Sequence, residues 1–314
     1  MTPVNDIALA LGVLAVALAW PVPALLARAS WPARAAVLAL ALWQSIALAG
    51  GISMIGSLLL FGLQPFGDDL WSRIVSAFGS ILSGPLPPQA SQLNTFALSA
   101  AVLLTVHLIL NLALTSVRSR RQRHRHRELL GLLSSPLPDA PSTRVIDHPA
   151  PAAYCLPGAR SITVLSEGMI ELLTPGQLEA VIAHEHAHLR QKHHLLLDAF
   201  RSWKRALPWF PIATRAQDAV ALLVEMLADD QARRVSGDAV LAEAIELVDA
   251  TGSAGAVLGA PKDSRTPAER RTALVSREAR LLEPPAPISP AARAFVVVVC
   301  AALVLVPPIL VLTS

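Results

Sequence analysis

Charge is scarce in this chain. Of 314 residues only 16% are Asp, Glu, Lys or Arg, and the mean hydropathy is +0.50. Soluble domains carry about 25% charged residues, so an ordinary soluble globule is excluded. Aromatic rings are also few, at 4%, with Tyr154 the single tyrosine. That is too thin for a surface on which single-stranded nucleic acid stacks. Only two cysteines occur, Cys155 and Cys300, far apart, so there is no disulfide framework. Extended polar tracts are lacking: 53% of the residues are hydrophobic, which rules out disorder for most of the chain. The net charge of +3 implies no partner by itself. Its distribution is more informative.

What the chain does have is four apolar runs, Ile7 to Leu26, Ala35 to Leu63, Phe96 to Val117 and Ala291 to Leu312. Each reaches the roughly 20 residues needed to cross a hydrocarbon layer of about 30 Å. None carries an ionised residue in its apolar centre, whereas buried core helices are shorter and have a polar face. The runs predict four transmembrane helices. Pro21 and Pro23 break the end of the first. A cleaved signal peptide is the rival reading of that run, but it needs a basic leader, and only Asp6 precedes it.

Basic residues set the expected orientation. Arg28 and Arg34 lie between the first two runs, while the next loop has Asp68, Asp69 and only Arg73. After the third run come Arg118, Arg120, Arg121, Arg123, Arg125 and Arg127. Next to a span, such a cluster fits lipid headgroups better than nucleic acid. The expected topology has both termini outside and residues 118–290 in the cytoplasm. Three parts follow: a membrane domain at 1–117 with helices near 7–26, 35–63 and 96–117, a polar domain at 118–290 opening with the basic segment 118–127, and a final helix within 291–314.

Inside the polar block, residues 143–166 read as a small hairpin-containing sheet, with Pro157-Gly158 as its turn signal. A helix is expected from Thr174, which caps it. Pro175 suits its first position and Gln177 completes a capping box. It is expected to run past His194. Residues 195–213, apolar but studded with Arg201, Lys204 and Arg205, read as a membrane-surface segment. A further helix is expected over Ala216 to Val235, stopped by Gly237. Linkers are expected at 252–270 and 283–290, around a short helix from Arg271 to Leu282. The fold class is thus a mostly α membrane protein of four transmembrane helices plus a cytoplasmic α+β domain with a small sheet.

The chemistry sits at His184-Glu185-His186-Ala187-His188, which contains H-E-x-x-H. Histidines four apart on a helix share a face and can both bind one Zn²⁺. Glu185 lies about 100° round the helix, placed to act as a base on a water rather than as a ligand. Glu225 supplies a third ligand from the second long helix and leaves a fourth position open, as a catalytic site requires. Asp229, one turn on, is expected to accept the other ring N–H of a liganding histidine, with Asp230 as its rival. His186, His193 and His194 read as packing or surface residues, with an oxyanion-steadying role left open for His193 or His194. Tyr154, His194 and Arg233 are candidates to steady an oxyanion.

These residues resemble a known family. H-E-H-A-H-L-R at 184–190, T-P-G-Q-L-E-A-V-I-A at 174–183, E-M-L-A-D-D at 225–230 and P-A-A-Y-C-L-P-G at 151–158 are similar to the BlaR/MecR-type membrane zinc metallopeptidases. Ste24/HtpX peptidases share the pattern. The resemblance implies a zincin-like, gluzincin-type metalloprotease domain over roughly residues 140–285. It implies one zinc ion held by His184, His188 and Glu225, with Glu185 as general base. It also implies a cytoplasmic winged-helix repressor of the BlaI type as protein substrate. Unlike the antibiotic sensors, the chain is expected to have no extracellular penicillin-binding domain, so a signal is expected to enter through loops, spans or another protein.

The expected function is therefore a membrane-embedded zinc metalloendopeptidase in a signalling pathway, placed in the inner membrane, with the bilayer and a protein substrate as partners and no direct nucleic-acid binding. The 161–165 strand is expected to pair with the peptide. An HtpX-like quality-control protease and a non-catalytic zinc-binding scaffold are the alternatives. A zinc transporter is disfavoured because the ligands lie outside the spans.

Overall fold

The structure is a computed structural model that describes residues 3–84, 86–137, 140–158, 161–208, 211–251 and 266–314. The first apolar run forms two helices, α1 (Pro3–Ala19) and α2 (Pro21–Arg28). They part at Trp20, because Pro21 and Pro23 donate no backbone hydrogen bond. After the one-turn α3 (Trp31–Arg34), the second run is a single helix, α4 (Ala36–Leu63), closed by a 3-10 turn at Gln64–Phe66. The loop beyond contains an unanticipated amphipathic helix, α5 (Leu70–Ser83), which Asp69 caps and Gly84 ends at φ +88°.

The third run continues without a break into the arginine cluster as α6 (Gln92–Leu133), 42 residues long. Arginine is a strong helix former and no glycine or proline interrupts residues 92–130, so the change of polarity at Val117 does not end the helix. Among the described residues, four helical stretches are long and apolar enough to cross a membrane: Val4–Arg28, Ala36–Phe66, Gln92–Leu133 and Pro290–Leu312.

Four strands follow: β1 (Ser134–Leu137), β2 (Ala140–Ile146), β3 (Ala153–Leu156) and β4 (Ile162–Ser166). The sheet order is β1-β2-β4-β3. The expected hairpin is the antiparallel β3–β4 pair, while β2 and β4 run parallel. The first strand went unforeseen because Pro136 masks its strand character. Since β4 is central and already paired on both sides, it cannot take a peptide edge to edge. The two edge strands are β1 and β3, and β3 is the edge beside β4.

After the short α7 (Glu167–Leu172), α8 (Pro175–Arg190) begins as expected, with the reciprocal Thr174–Gln177 capping box and Pro175 at its first position. It stops at Arg190 instead of passing His194. Lys192 adopts a left-handed conformation at φ 52°, its N–H returns to the Leu189 carbonyl, and a new helix, α9 (His193–Ala206), leaves in another direction. The bend turns the apolar side of α9, with Phe200 and Ala206 buried, onto its neighbours.

Those neighbours bear on residues 195–213, the expected membrane-surface segment. The described part of it packs along α6, with Asp198 bonded to Ser119 and Arg123. Further along, His107 Nε2 donates to the Ala206 carbonyl at 3.0 Å. His107 is the midpoint of the third apolar run, so the tip of α9 reaches halfway along it. The returning helix, α10 (Pro211–Ser236), and α9 then share one core with the apolar helices. In it Trp43, Ile46 and Ala49 of α4 pack with Phe200, Val220, Val224 and Met226.

The chain closes with α11 (Asp238–Ala250), α12 (Pro267–Leu282) and α13 (Pro290–Leu312). Most of the linker expected at 252–270 falls on 252–265, outside the described residues, and α12 starts four residues earlier than Arg271. Residues 284–289 form the expected non-helical link to α13.

The approach of α4 to α6 depends on one glycine. A Cβ on Gly62 would stand 2.6 Å from the Leu98 backbone nitrogen, whereas one on Gly51 would meet nothing within 4 Å. Gly62→Ala should lower the thermal midpoint of the detergent-solubilised protein by several degrees, and Gly51→Ala should leave it unchanged or raise it. Equal midpoints for the two variants would show that the helices do not meet there.

Candidate metal centre

Two helices face each other across the site. His184 and His188 stand one turn apart on α8, and Glu225 and Asp229 one turn apart on α10. The Nε2 atoms of the two histidines are 3.1 Å apart. Glu225 Oε2 lies 3.4 Å from His184 Nε2, and Oε1 lies 3.7 Å from His188 Nε2. One atom from each of the three side chains falls within 4.8 Å of the others, a group that can hold a metal ion.

The donor geometry fits zinc. Ligands about 2.0–2.1 Å from a tetrahedral ion lie roughly 3.3 Å from one another, which is the spacing of these atoms. The hydrogen-bond chain behind them fits as well. His193 Nε2 donates to Gln191 Oε1 at 3.0 Å, so His193 Nδ1 is left as an acceptor. It takes the proton of His188 Nδ1, 3.1 Å away. His188 Nε2 therefore carries a bare lone pair turned towards the centre. Asp229 Oδ1 forms an ion pair with His184, 2.9 Å from its Nδ1. Two imidazole lone pairs aimed at each other across 3.1 Å repel unless a cation or a proton lies between them.

Electrostatics in the metal-free protein follow from this. Burial opposes charge on His184, but Asp229 and Glu225 outweigh it and raise its pKa to about 10. Burial keeps His188 and His193 neutral, both at about 4. Burial also opposes charge on Glu225, yet His188, His184 and Arg277 hold its carboxylate well below the usual range. Burial pushes the Glu185 carboxyl up to about 7, and Glu225 adds to this while His184 and Arg277 oppose it. The backbone N–H of Cys155, on β3, also bonds Glu185.

Arg277 of α12 completes the centre, and no motif announced it. Its guanidinium grips both oxygens of Asp229 at 2.7 Å and lies 3.4 Å from Glu225 Oε2. Asp230, the rival to Asp229, faces away from the imidazoles and is gripped by Arg280 at 2.7 Å through both oxygens. His193 was also missed as part of the centre. Five residues beyond His188 on a continuous helix it would face elsewhere, and only the bend at Lys192 returns its ring.

The three oxyanion candidates do not reach the centre. Tyr154 is buried on the opposite face of β3 from Cys155, with its hydroxyl 2.8 Å from His126 Nε2. Arg233 is bonded to Asp238 at 2.6 Å. His194 sits beside Arg123 and Asp198. His186 reaches the sheet instead, with Nε2 3.0 Å from Thr163 Oγ1.

Two measurements check this arrangement. His193→Phe removes the acceptor behind His188 and should weaken zinc binding by about tenfold, the usual cost of losing such a partner; unchanged affinity in a competition titration would remove His193 from the centre. At pH 7 the metal-free His184, with its raised pKa, is protonated and must shed that proton to bind metal. Zinc uptake should thus release close to one proton, and apparent affinity should climb with pH up to about 10. Calorimetry in buffers of different ionisation enthalpy reads this directly, and no buffer dependence would refute it.

With the geometry in place, comparison with known proteins gives one match. No curated protein and no solved structure matches the chain. His184, Glu185 and His188 fall within the matched segment, and Glu225 lies just beyond its end. Residues 116–222 match Peptidase family M48, which supports an M48-family metallopeptidase.

Proposed function

We propose that the chain is a membrane-embedded zinc metalloendopeptidase that cuts a protein at the cytoplasmic face. The observation that carries this is the three-donor group His184–His188–Glu225 with Glu185 on the same helical turn as the histidines. Three protein ligands and an adjacent base suit catalysis, whereas a structural zinc site closes with four ligands and needs no base. That contrast also disfavours a non-catalytic scaffold. One zinc ion per chain, when bound, supplies Lewis acidity to the scissile carbonyl and to the attacking water.

The protein's own groups do the rest. Glu185 accepts the proton of the attacking water and delivers it to the leaving amine. Its raised pKa suits both halves of that transfer. Arg277 keeps Glu225 and Asp229 ionised, and Asp229 and His193 orient the two imidazoles. The peptide lies along β3. The Ser166 N–H bonds the Ala152 carbonyl, so by alternation Ala153 turns its backbone groups away from β4 and towards a substrate, while the Cys155 N–H on the same edge is held by Glu185.

Both termini outside and the metal centre inside is the orientation that Arg28, Arg34 and the arginines of α6 support. By its resemblance to BlaR/MecR-type peptidases the substrate is a BlaI-type repressor. A second reading, an HtpX-like protease that clips membrane proteins near the surface, draws on a separate observation. The helices that carry Glu225 and His193 share a core with α1, α2 and α4, which ties the centre to the apolar helices.

Glu185→Gln should retain zinc and lose about 10²–10⁴-fold in cleavage rate, the usual contribution of a general base. Comparing the proteomes of cells carrying wild-type and Glu185→Gln protein should reveal a fragment that needs the intact carboxylate. A soluble repressor fragment supports the first substrate, and membrane-protein fragments support the second. Undiminished turnover in Glu185→Gln would overturn the mechanism.

A further inference from the structure

A groove of about 640 Å³ opens between α2, α3 and the start of α13, well apart from the residues assigned to catalysis. Its walls are apolar, among them Leu25, Trp31, Phe295 and Val296. Its polar lining comes from Arg34 and Ser289, and no acidic residue lines it. Among the described residues no carboxylate pairs with Arg34, which is exposed. Ser289 caps α13, whose positive end therefore opens on the same mouth.

The mouth is held in shape. Arg280 donates to the Ala33 carbonyl at 2.7 Å and grips Asp230 of α10, so the turn that carries Arg34 is anchored to the body of the protein. A preformed apolar cavity with a few convergent polar groups is the usual form of a small-ligand site.

Size and charge choose the occupant. A partner helix is about 10 Å across. An acyl chain is slimmer and fits lengthwise. A lone cation at the mouth complements a phosphate. We propose that the groove binds one anionic phospholipid of the inner leaflet, its acyl chain between α2 and α13 and its phosphate at the Arg34 guanidinium.

This rests on the membrane reading, and the test separates the two. Full-length protein is reconstituted in vesicles of equal phosphatidylcholine and phosphatidylglycerol, floated on a gradient, then released for native mass spectrometry. The protein should float and retain one phosphatidylglycerol with about fivefold preference over phosphatidylcholine, the advantage of one arginine near a charged surface. Arg34→Gln, an exposed change, should float with a preference near one. Val296→Trp, which fills the groove, should retain neither lipid. Protein that fails to float overturns the membrane reading and the lipid site together. Protein that floats without preference, or whose preference survives Arg34→Gln, overturns the lipid site alone, as does a partner helix cross-linked to Val296 in place of lipid.

Discussion

Two imidazole Nε2 atoms held 3.1 Å apart and facing each other are the arrangement on which the rest of the structure depends. It persists because each ring is fixed from behind, His184 by Asp229 and His188 by His193. The partners are fixed in turn, Asp229 by Arg277 and His193 by Gln191. Each imidazole thus has one fixed orientation, and both Nε2 atoms converge on the point that Glu225 also faces.

Keeping that point requires a buried charge balance. Glu225 and Asp229 are acids in a low-dielectric site, and Arg277 between them offsets the cost of removing them from water. Losing one member of such a group leaves an uncompensated buried charge, which costs about 3–5 kcal/mol. The second fork, Arg280 on Asp230, sits three residues along the same face of α12. Together the two forks bind α12 to α10 along the turn that carries Glu225, Asp229 and Asp230. Only the short link at 284–289 separates α12 from α13, so the metal centre is joined by a few bonds to an apolar helix.

The other connection runs through α9 and α10. Their shared core with α4 makes the polar block a continuation of the apolar helices. Trp43 is buried there, and the chain reaches this packing by turning sharply at Lys192. The same turn brings His193 back to His188. One left-handed residue thus serves both the packing of α9 and the orientation of the His188 imidazole.

Much of the fold could be read from local patterns. The apolar runs mark the four long helices, since twenty uncharged residues have few other stable arrangements. The Thr174–Gln177 box marks the start of α8, because capping is settled within one turn. The spacing of His184, Glu185 and His188 puts the two imidazoles on one face, because helical geometry alone sets which side chains share it. Glu225 and Asp229 were legible for the same reason. What needed the assembled molecule were relations between distant segments. The end of α8 at Arg190 has no glycine or proline to signal it. The place of β4 inside the sheet, and so the edge beside it at β3, follows from strand order. Arg277 joins the centre 48 residues after Asp229, and His193 joins it through a bend. The sequence by itself determined the helices and the chemistry that one turn can carry, because those depend on neighbours three or four residues away. Which far-off groups fix and neutralise that chemistry was decided by tertiary packing alone, because buried charges take the partners that the fold brings to them.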